Sequence, residues 1–305
     1  MPKLKLYPKK FGNKRRLTNF QTSKAVAMEA NEIKALVSLL DDSDHEVSNH
    51  VEKEIKNLGD EAIPFLEHHW EENPLNPPLQ RRLENLIHEL QYDNFTAGLI
   101  EWKENRLHDL LEGMWRIARY QYPDLDFQTI QKEINQIYFD SWLQLRDDLH
   151  PFDTIKALNH VFFEKHGFTA NTKNFHSPAN SLINQVIETK RGNPISLCVI
   201  YLLVAQRLGL PIFGVNLPSL FILTYKSKQI QFYINIFNKG LVFNKKDIDT
   251  YLKQMQLEPK EIFYEPCSNL EIVRRSLLNL MYSFKKNSET EKVEEIKYVY
   301  ERLGL

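Results

Sequence analysis

Arg191-Gly192-Asn193-Pro194-Ile195-Ser196-Leu197-Cys198-Val199-Ile200-Tyr201-Leu202-Leu203-Val204-Ala205-Gln206-Arg207-Leu208-Gly209-Leu210-Pro211 is the stretch on which the fold turns. Asn193-Pro194 opens a helix, because proline is favoured in the first helical turn, where its missing N–H is no loss. Ile195 to Ala205 is nearly all apolar, eleven residues closed by Gln206-Arg207. A membrane span needs about 18 or more, so this run predicts a buried core helix and no membrane span. Beyond Gly209-Leu210-Pro211 the character changes. Phe213 to Val215, Phe221 to Tyr225 and Gln231 to Phe237 gather β-forming residues, with Lys226-Ser227-Lys228 as a turn. The expected centre is a buried helix feeding a small antiparallel sheet.

Outward from that centre the chain is helical. Leu107 to Tyr122 and Phe127 to Leu145 are amphipathic, separated by Pro123-Asp124-Leu125-Asp126, with Asp126 as N-cap. A third helix is expected over Asp153 to His166, then a polar loop to about 181. Nearer the start, Glu29 to Leu40 places Ile33, Leu36, Val37 and Leu40 on one face. Asp41-Asp42-Ser43-Asp44 breaks the helix and caps the next, which carries Val47, Val51 and Ile55 before Gly59. Ala62 to Glu72 and Leu79 to Leu90 repeat the pattern. Helix pairs recurring roughly every 30 residues must stack to bury their faces. Leu39-Leu40-Asp41-Asp42-Ser43-Asp44-His45-Glu46-Val47 resembles a HEAT repeat. The final 55 residues return to helix, with Leu277, Leu278, Leu280 and Met281 on one face and Val293, Ile296, Val299 and Leu303 on another.

Composition narrows the function classes. The 305 residues are about twice the usual domain length, so two domains, or one domain with an added helical arm, are expected. Such a chain buries about three quarters of its unfolded surface and needs neither disulfide nor metal to fold. Its ten glycines are few, which favours helices. No two stand two apart, so a G-x-G nucleotide loop is excluded. Gly209 and Gly214 have P-loop spacing, but Val215-Asn216 follow where Lys-Ser/Thr is needed. Cys198 and Cys267 cannot build a zinc ribbon or a disulfide framework, and they predict a reducing, cytoplasmic setting. Eight basic residues, from Lys3 to Lys24, precede the first acid, Glu29. This basic arm on an acidic body could bind nucleic acid or another anionic polymer. With no repeat and few interleaved aromatics, it reads better as a solvated tail.

Candidate chemistry is sparse. All ten histidines lie at or before His176. His68-His69, with Glu67 and Glu71, reads as a solvated helix face rather than a metal site. His88-Glu89 begins an H-E-x-x-H motif, but Tyr92 stands where the second histidine belongs. Cys198 lies a full turn into the apolar helix, where a free thiol behaves as a small hydrophobe. Cys267 follows a proline in a loop. No cofactor or metal is expected.

Several ordered motifs carry a resemblance. Asn180-Ser181, Arg191 to Leu197, Tyr201, Leu208 to Pro211 and Gly214-Val215-Asn216-Leu217-Pro218 resemble the SirB-type branch of the transglutaminase-like superfamily. Tyr122 to Asp126 and His166-Gly167-Phe168 look like its helical lead-in; Arg275, Asn279 and Leu280 look like the start of its tetratricopeptide-like tail. The resemblance implies an α+β, mostly helical protein with a papain-like core of helix plus antiparallel sheet. The expected divisions are a basic arm over 1–28, HEAT-like helices over 29–105, the transglutaminase-like domain over 106–265 and a C-terminal helix pair over 266–305.

Enzymes of that superfamily place a cysteine at a helix N-terminus, a histidine on the following strand and an aspartate on the next. Carried over by position, the resemblance puts Pro194, Leu220 and Asn235 at these three places. Proline offers no nucleophile, leucine takes no proton, and asparagine cannot balance an imidazolium. The expectation is a non-catalytic domain on a helical arm, serving protein or peptide interaction. The alternative is a hydrolase or acyltransferase with a displaced site, using Cys198 or Ser196 with His160, His166 or His176. Leu220 is expected to plug the former cleft beside Pro194 and Asn235, unless it is simply one more core residue.

Overall fold

The computed structural model describes residues 30–42, 44–146 and 148–304. The basic arm of 1–28 lies outside them. The described chain packs as two compact units that divide between Asn94 and Phe95.

In the first unit, residues 30–38 form α1, followed by α2 (His45–Leu58), α3 (Ile63–Glu72) and the first part of α4 (Pro77–Asn105). Asp44 caps α2 as its sequence predicts, its carboxylate accepting the Glu46 N–H at 2.8 Å. Gly59 takes up the chain at a φ of 64°, a conformation that suits glycine. The apolar positions spaced three and four apart meet in one core: Ile33, Val37, Leu40, Val51, Ile55, Leu66, Leu83, Leu86 and Leu90 are all buried in a single cluster. Arg82 laces that core to its rim. Its guanidinium donates to Glu52 at 2.9 Å, to the Leu40 carbonyl at 3.2 Å and to the Ser48 carbonyl at 3.1 Å.

The second unit contains the rest of α4, then α5 (Leu110–Arg119), α6 (Phe127–Trp142) and α7 (Pro151–Asn159), which runs into a π-helical turn at His160–Lys165. Two short parallel strands, β1 (Thr169–Ala170) and β2 (Arg191–Gly192), bracket α8 (Ile183–Thr189). The predicted apolar helix is α9 (Pro194–Arg207). It is buried from Ile195 to Ala205 with only Leu203 partly exposed, and packs against the sheet, α6 and α8. The sheet runs β3 (Ile212–Leu217), β4 (Leu220–Lys226), β5 (Gln231–Asn235), β6 (Leu241–Phe243), in that order and antiparallel throughout. Then come α10 (Lys245–Gln254), α11 (Asn269–Lys286) and α12 (Thr290–Arg302). The architecture is mostly helical with a small antiparallel sheet, as expected.

Register decides what each sheet face does. Leu217 pairs with Leu220, so Pro218-Ser219 form a two-residue turn, with Ser219 at a φ of 58°. Val215, Leu217, Leu220, Ile222 and Tyr233 lie on one face and pack with Ile248 and Leu252 of α10. Gly214, Asn216 and Phe221 lie on the other. A β-carbon on Gly214 would come within 2.7 Å of Phe221 and 3.2 Å of Ile272 of α11, so glycine lets the helix approach.

Some elements differ from the sequence expectation. α5 is shorter than Leu107 to Tyr122, because Asp109 caps it by accepting the Glu112 N–H at 2.9 Å. Asp126 does cap α6, accepting the Thr129 N–H at 3.0 Å, but the helix stops at Trp142. The third helix begins at Pro151, two residues before Asp153, and ends in the π-helical turn. The polar stretch to 181 is loop-like apart from β1 and a 3-10 turn at Pro178–Ser181. α8, β6 and α10 go beyond the sequence expectation, although Ile183, Val186 and Ile187 in α8 and Ile248, Tyr251 and Leu252 in α10 stand at helical spacing; α10 buries only Ile248 and Leu252. The last 55 residues begin with the end of α10 and a loop before helix returns at Asn269.

Candidate functional site

The head of α9 is built from its own sequence. Asn193 is the N-cap and its Oδ1 accepts the Ser196 N–H at 2.9 Å, while Ser196 Oγ accepts the Asn193 N–H at 3.1 Å. This reciprocal pair is a capping box. Asn193 Nδ2 donates to Ser181 Oγ at 2.9 Å, which fixes the helix head to the preceding turn. Gly192 permits it: a β-carbon there would come within 2.5 Å of Ser196 Oγ.

That helix head opens onto a cavity of about 250 Å3. Pro194 and Ile195 form one wall, Ser219 and Phe221 of the β3–β4 hairpin another, and Phe175 and His176 a third. Arg275, Asn279, Tyr282 and Ser283 of α11 close it, on one face at helical spacing. Among the described residues no carboxylate lines it. Arg275 is half-buried, and its Nη1 donates to Asn216 Oδ1 at 3.1 Å. Burial pulls its pKa below the ordinary arginine value. The His176 ring sits against Phe175 at 5.3 Å and Tyr282 at 5.5 Å, between ring centroids.

Of the three positions carried over by resemblance, only Pro194 reaches this cavity. Leu220 lies between Ser219 and Phe221, which both line it, but packs on the sheet face that meets α10. It does not plug the cleft. Asn235 falls on the same sheet face as Tyr233 and Leu220, and its Oδ1 accepts the Asn238 N–H at 3.1 Å, capping a 3-10 turn. The reason is strand alternation: a residue that faces α10 cannot also face α9.

The alternative nucleophiles are enclosed. Ser196 is 2% exposed and its Oγ is engaged by the capping box. Cys198 is fully buried, its Sγ 3.5 Å from the Phe221 carbonyl, and burial pushes its thiol pKa far up. Cys267 is pushed up to about 12, again by burial first. Of the proposed bases, His160 contacts exposed Glu164 at 2.9 Å and His166 contacts Asp140 at 2.8 Å. Asp140 also takes a hydrogen bond from Lys165, which holds its carboxyl below the usual range. Only His176 lines the cavity. The functional reading of the sequence passed over the α11 wall; its signal was the i, i+4, i+7, i+8 spacing of Arg275, Asn279, Tyr282 and Ser283.

Among the described residues no group of three or more His, Cys, Asp or Glu is placed to hold a metal. His68 pairs with Glu72 at 3.3 Å on an exposed face. No helix among them is long and apolar enough to cross a membrane.

A UPF0162 protein of Xylella fastidiosa is 39% identical over 110 residues, 35% of this chain and 38% of the relative. UPF0162 protein YchA of Escherichia coli K12 is 26% identical over 186 residues, 60% of this chain and 69% of the relative. Mouse F-box only protein 21 is 30% identical over 176 residues, 50% of this chain and 27% of the relative. The chain therefore spans well under two thirds of the Xylella and mouse relatives' own lengths. No solved structure matches. The family described as Transglutaminase-like superfamily matches residues 128–278, which run from the start of α6 into α11 and include the head of α9 and the hairpin beside it. Residues 128–278 are thus similar to the transglutaminase-like superfamily.

Proposed function

We propose that this chain is a non-catalytic transglutaminase-like protein of the SirB-type branch, a module that binds a protein or peptide partner without cleaving or joining it. The observation that carries this reading is the head of α9. Where a thiol would stand at the helix N-terminus there is Pro194, and the nearest cysteine is sealed a full turn further in. A thiol acts as its thiolate, and a buried, neutral thiol does not attack. Ser196 is spent on capping, and among the described residues no aspartate or glutamate lines the cavity to orient a base. The first unit, with α1 to α4 sharing one core, supports a HEAT-like helical arm whose surface serves the partner. The setting is cytoplasmic, with both cysteines free.

Iodoacetamide on the native protein tests the reading, with peptide mapping of the modified sites. Cys198 is expected to stay unmodified until the protein unfolds, and p-nitrophenyl acetate to hydrolyse no faster than with unfolded protein. Rapid native labelling of Cys198, together with ester turnover lost in Cys198→Ala, would overturn it.

A further inference from the structure

We propose that the cavity at the head of α9 binds an organic carboxylate with an apolar tail, its carboxylate on the guanidinium of Arg275. This deepens the non-catalytic reading and rests on it.

Charge is the first argument. Arg275 is a half-buried cation, and no carboxylate among the described residues pairs with it. A charge drawn out of water without a counter-ion is costly, and its cost falls when an anion arrives. Among the described residues the cavity lining contains no acid that would repel one. Geometry is the second. Asn216 Oδ1, a neutral acceptor, takes one N–H of the fork and orients it. The planar guanidinium carries five donors, and its remaining edge suits a bidentate carboxylate. The positive end of the α9 dipole lies in the same wall, favouring the same sign of ligand. Shape is the third. Phe175, Phe221 and Tyr282 give apolar surface beside the cation. A volume of about 250 Å3 admits a group the size of one amino-acid residue and little more. The ligand is therefore a small aromatic or aliphatic acid, either free or as the C-terminal residue of a peptide.

The test titrates the wild-type full chain by calorimetry with N-acetylphenylalanine, with its amide, with inorganic phosphate, and with a pentapeptide ending in phenylalanine as the free acid. The acid is expected to bind and the amide to bind about tenfold or more weakly, because the charge-assisted pair is lost. Arg275→Gln, shown by circular dichroism to be folded, should lose the acid to the same degree. Tighter binding of the pentapeptide identifies a chain terminus as the source; tighter binding of the single residue identifies a free acid. Equal binding of acid and amide, or phosphate binding without the acid, overturns the proposal. Because the acid and amide are compared on the wild type, a variant that fails to fold does not remove the test. Should the amide be hydrolysed, the non-catalytic reading falls; should the acid fail to bind and the amide survive intact, only the carboxylate site falls.

Discussion

Pro194 and Cys198 lie one helical turn apart on α9 and meet opposite surroundings. Pro194 borders the cavity, while Cys198 is closed between the helix and the carbonyl of Phe221. Reactivity at this helix is therefore a matter of position and not of residue type alone. A thiol placed at 194 would stand at a helix N-terminus, where the dipole favours its anion, and would face solvent-sized space. Pro194→Cys is expected to alkylate at least about tenfold faster than Cys198 in the native protein, a rate that mass spectrometry follows directly. Adding Leu220→His should bring no further acceleration, since that side chain lies on the α10 face of the sheet. A clear gain from the second substitution would mean that the strand sits in a different register.

α9 shows how one element fixes a site. Its apolar body is buried against the sheet, α6 and α8, which anchors its axis; its capping box and the Ser181 contact fix its first turn. Asn193→Ala removes the cap and leaves Ser181 Oγ without that donor, and N-cap losses cost about 0.5–2 kcal/mol. Urea unfolding is expected to report a loss toward the upper end of that range, because Asn193 is only 5% exposed and water cannot replace its bonds. A loss too small to measure would show that packing alone holds the helix head. The two-residue hairpin at Pro218-Ser219 acts similarly, since its length sets the register and so sends Leu220 to one face and Phe221 to the other.

At the scale of the whole molecule the two compact units carry separate cores. Leu83 is fully buried in the first, amid Leu40, Ile55, Leu66 and Leu86. Leu83→Ala should cost about 2–5 kcal/mol by lost burial and the cavity it leaves. The loss is expected in the first unit, with Cys198 still protected from iodoacetamide at temperatures where that unit has melted. Simultaneous exposure of Cys198 would show that the two units unfold as one. Much of this organisation was legible in the chain. The spacing of Ile33, Val37 and Leu40, the caps at Asp44 and Asp126, the apolar run of α9 and the strands after Pro211 are all local patterns, and each element forms where its own residues demand it. α8 and α10 are harder to read because each is short and offers a single i, i+3, i+4 apolar triplet, Ile183-Val186-Ile187 and Ile248-Tyr251-Leu252, with no second turn to confirm the period. The cavity was harder still. Pro194, Ser219, His176 and Arg275 come from distant parts of the chain, and no local rule links them. Sequence by itself determined the helical character, the central helix and sheet, and the proline that opens the central helix at position 194, because residue type and short-range spacing settle those. Only the tertiary structure decided that Leu220 faces α10 and that Arg275 meets the head of α9. Strand register and helix packing depend on contacts made across the whole domain.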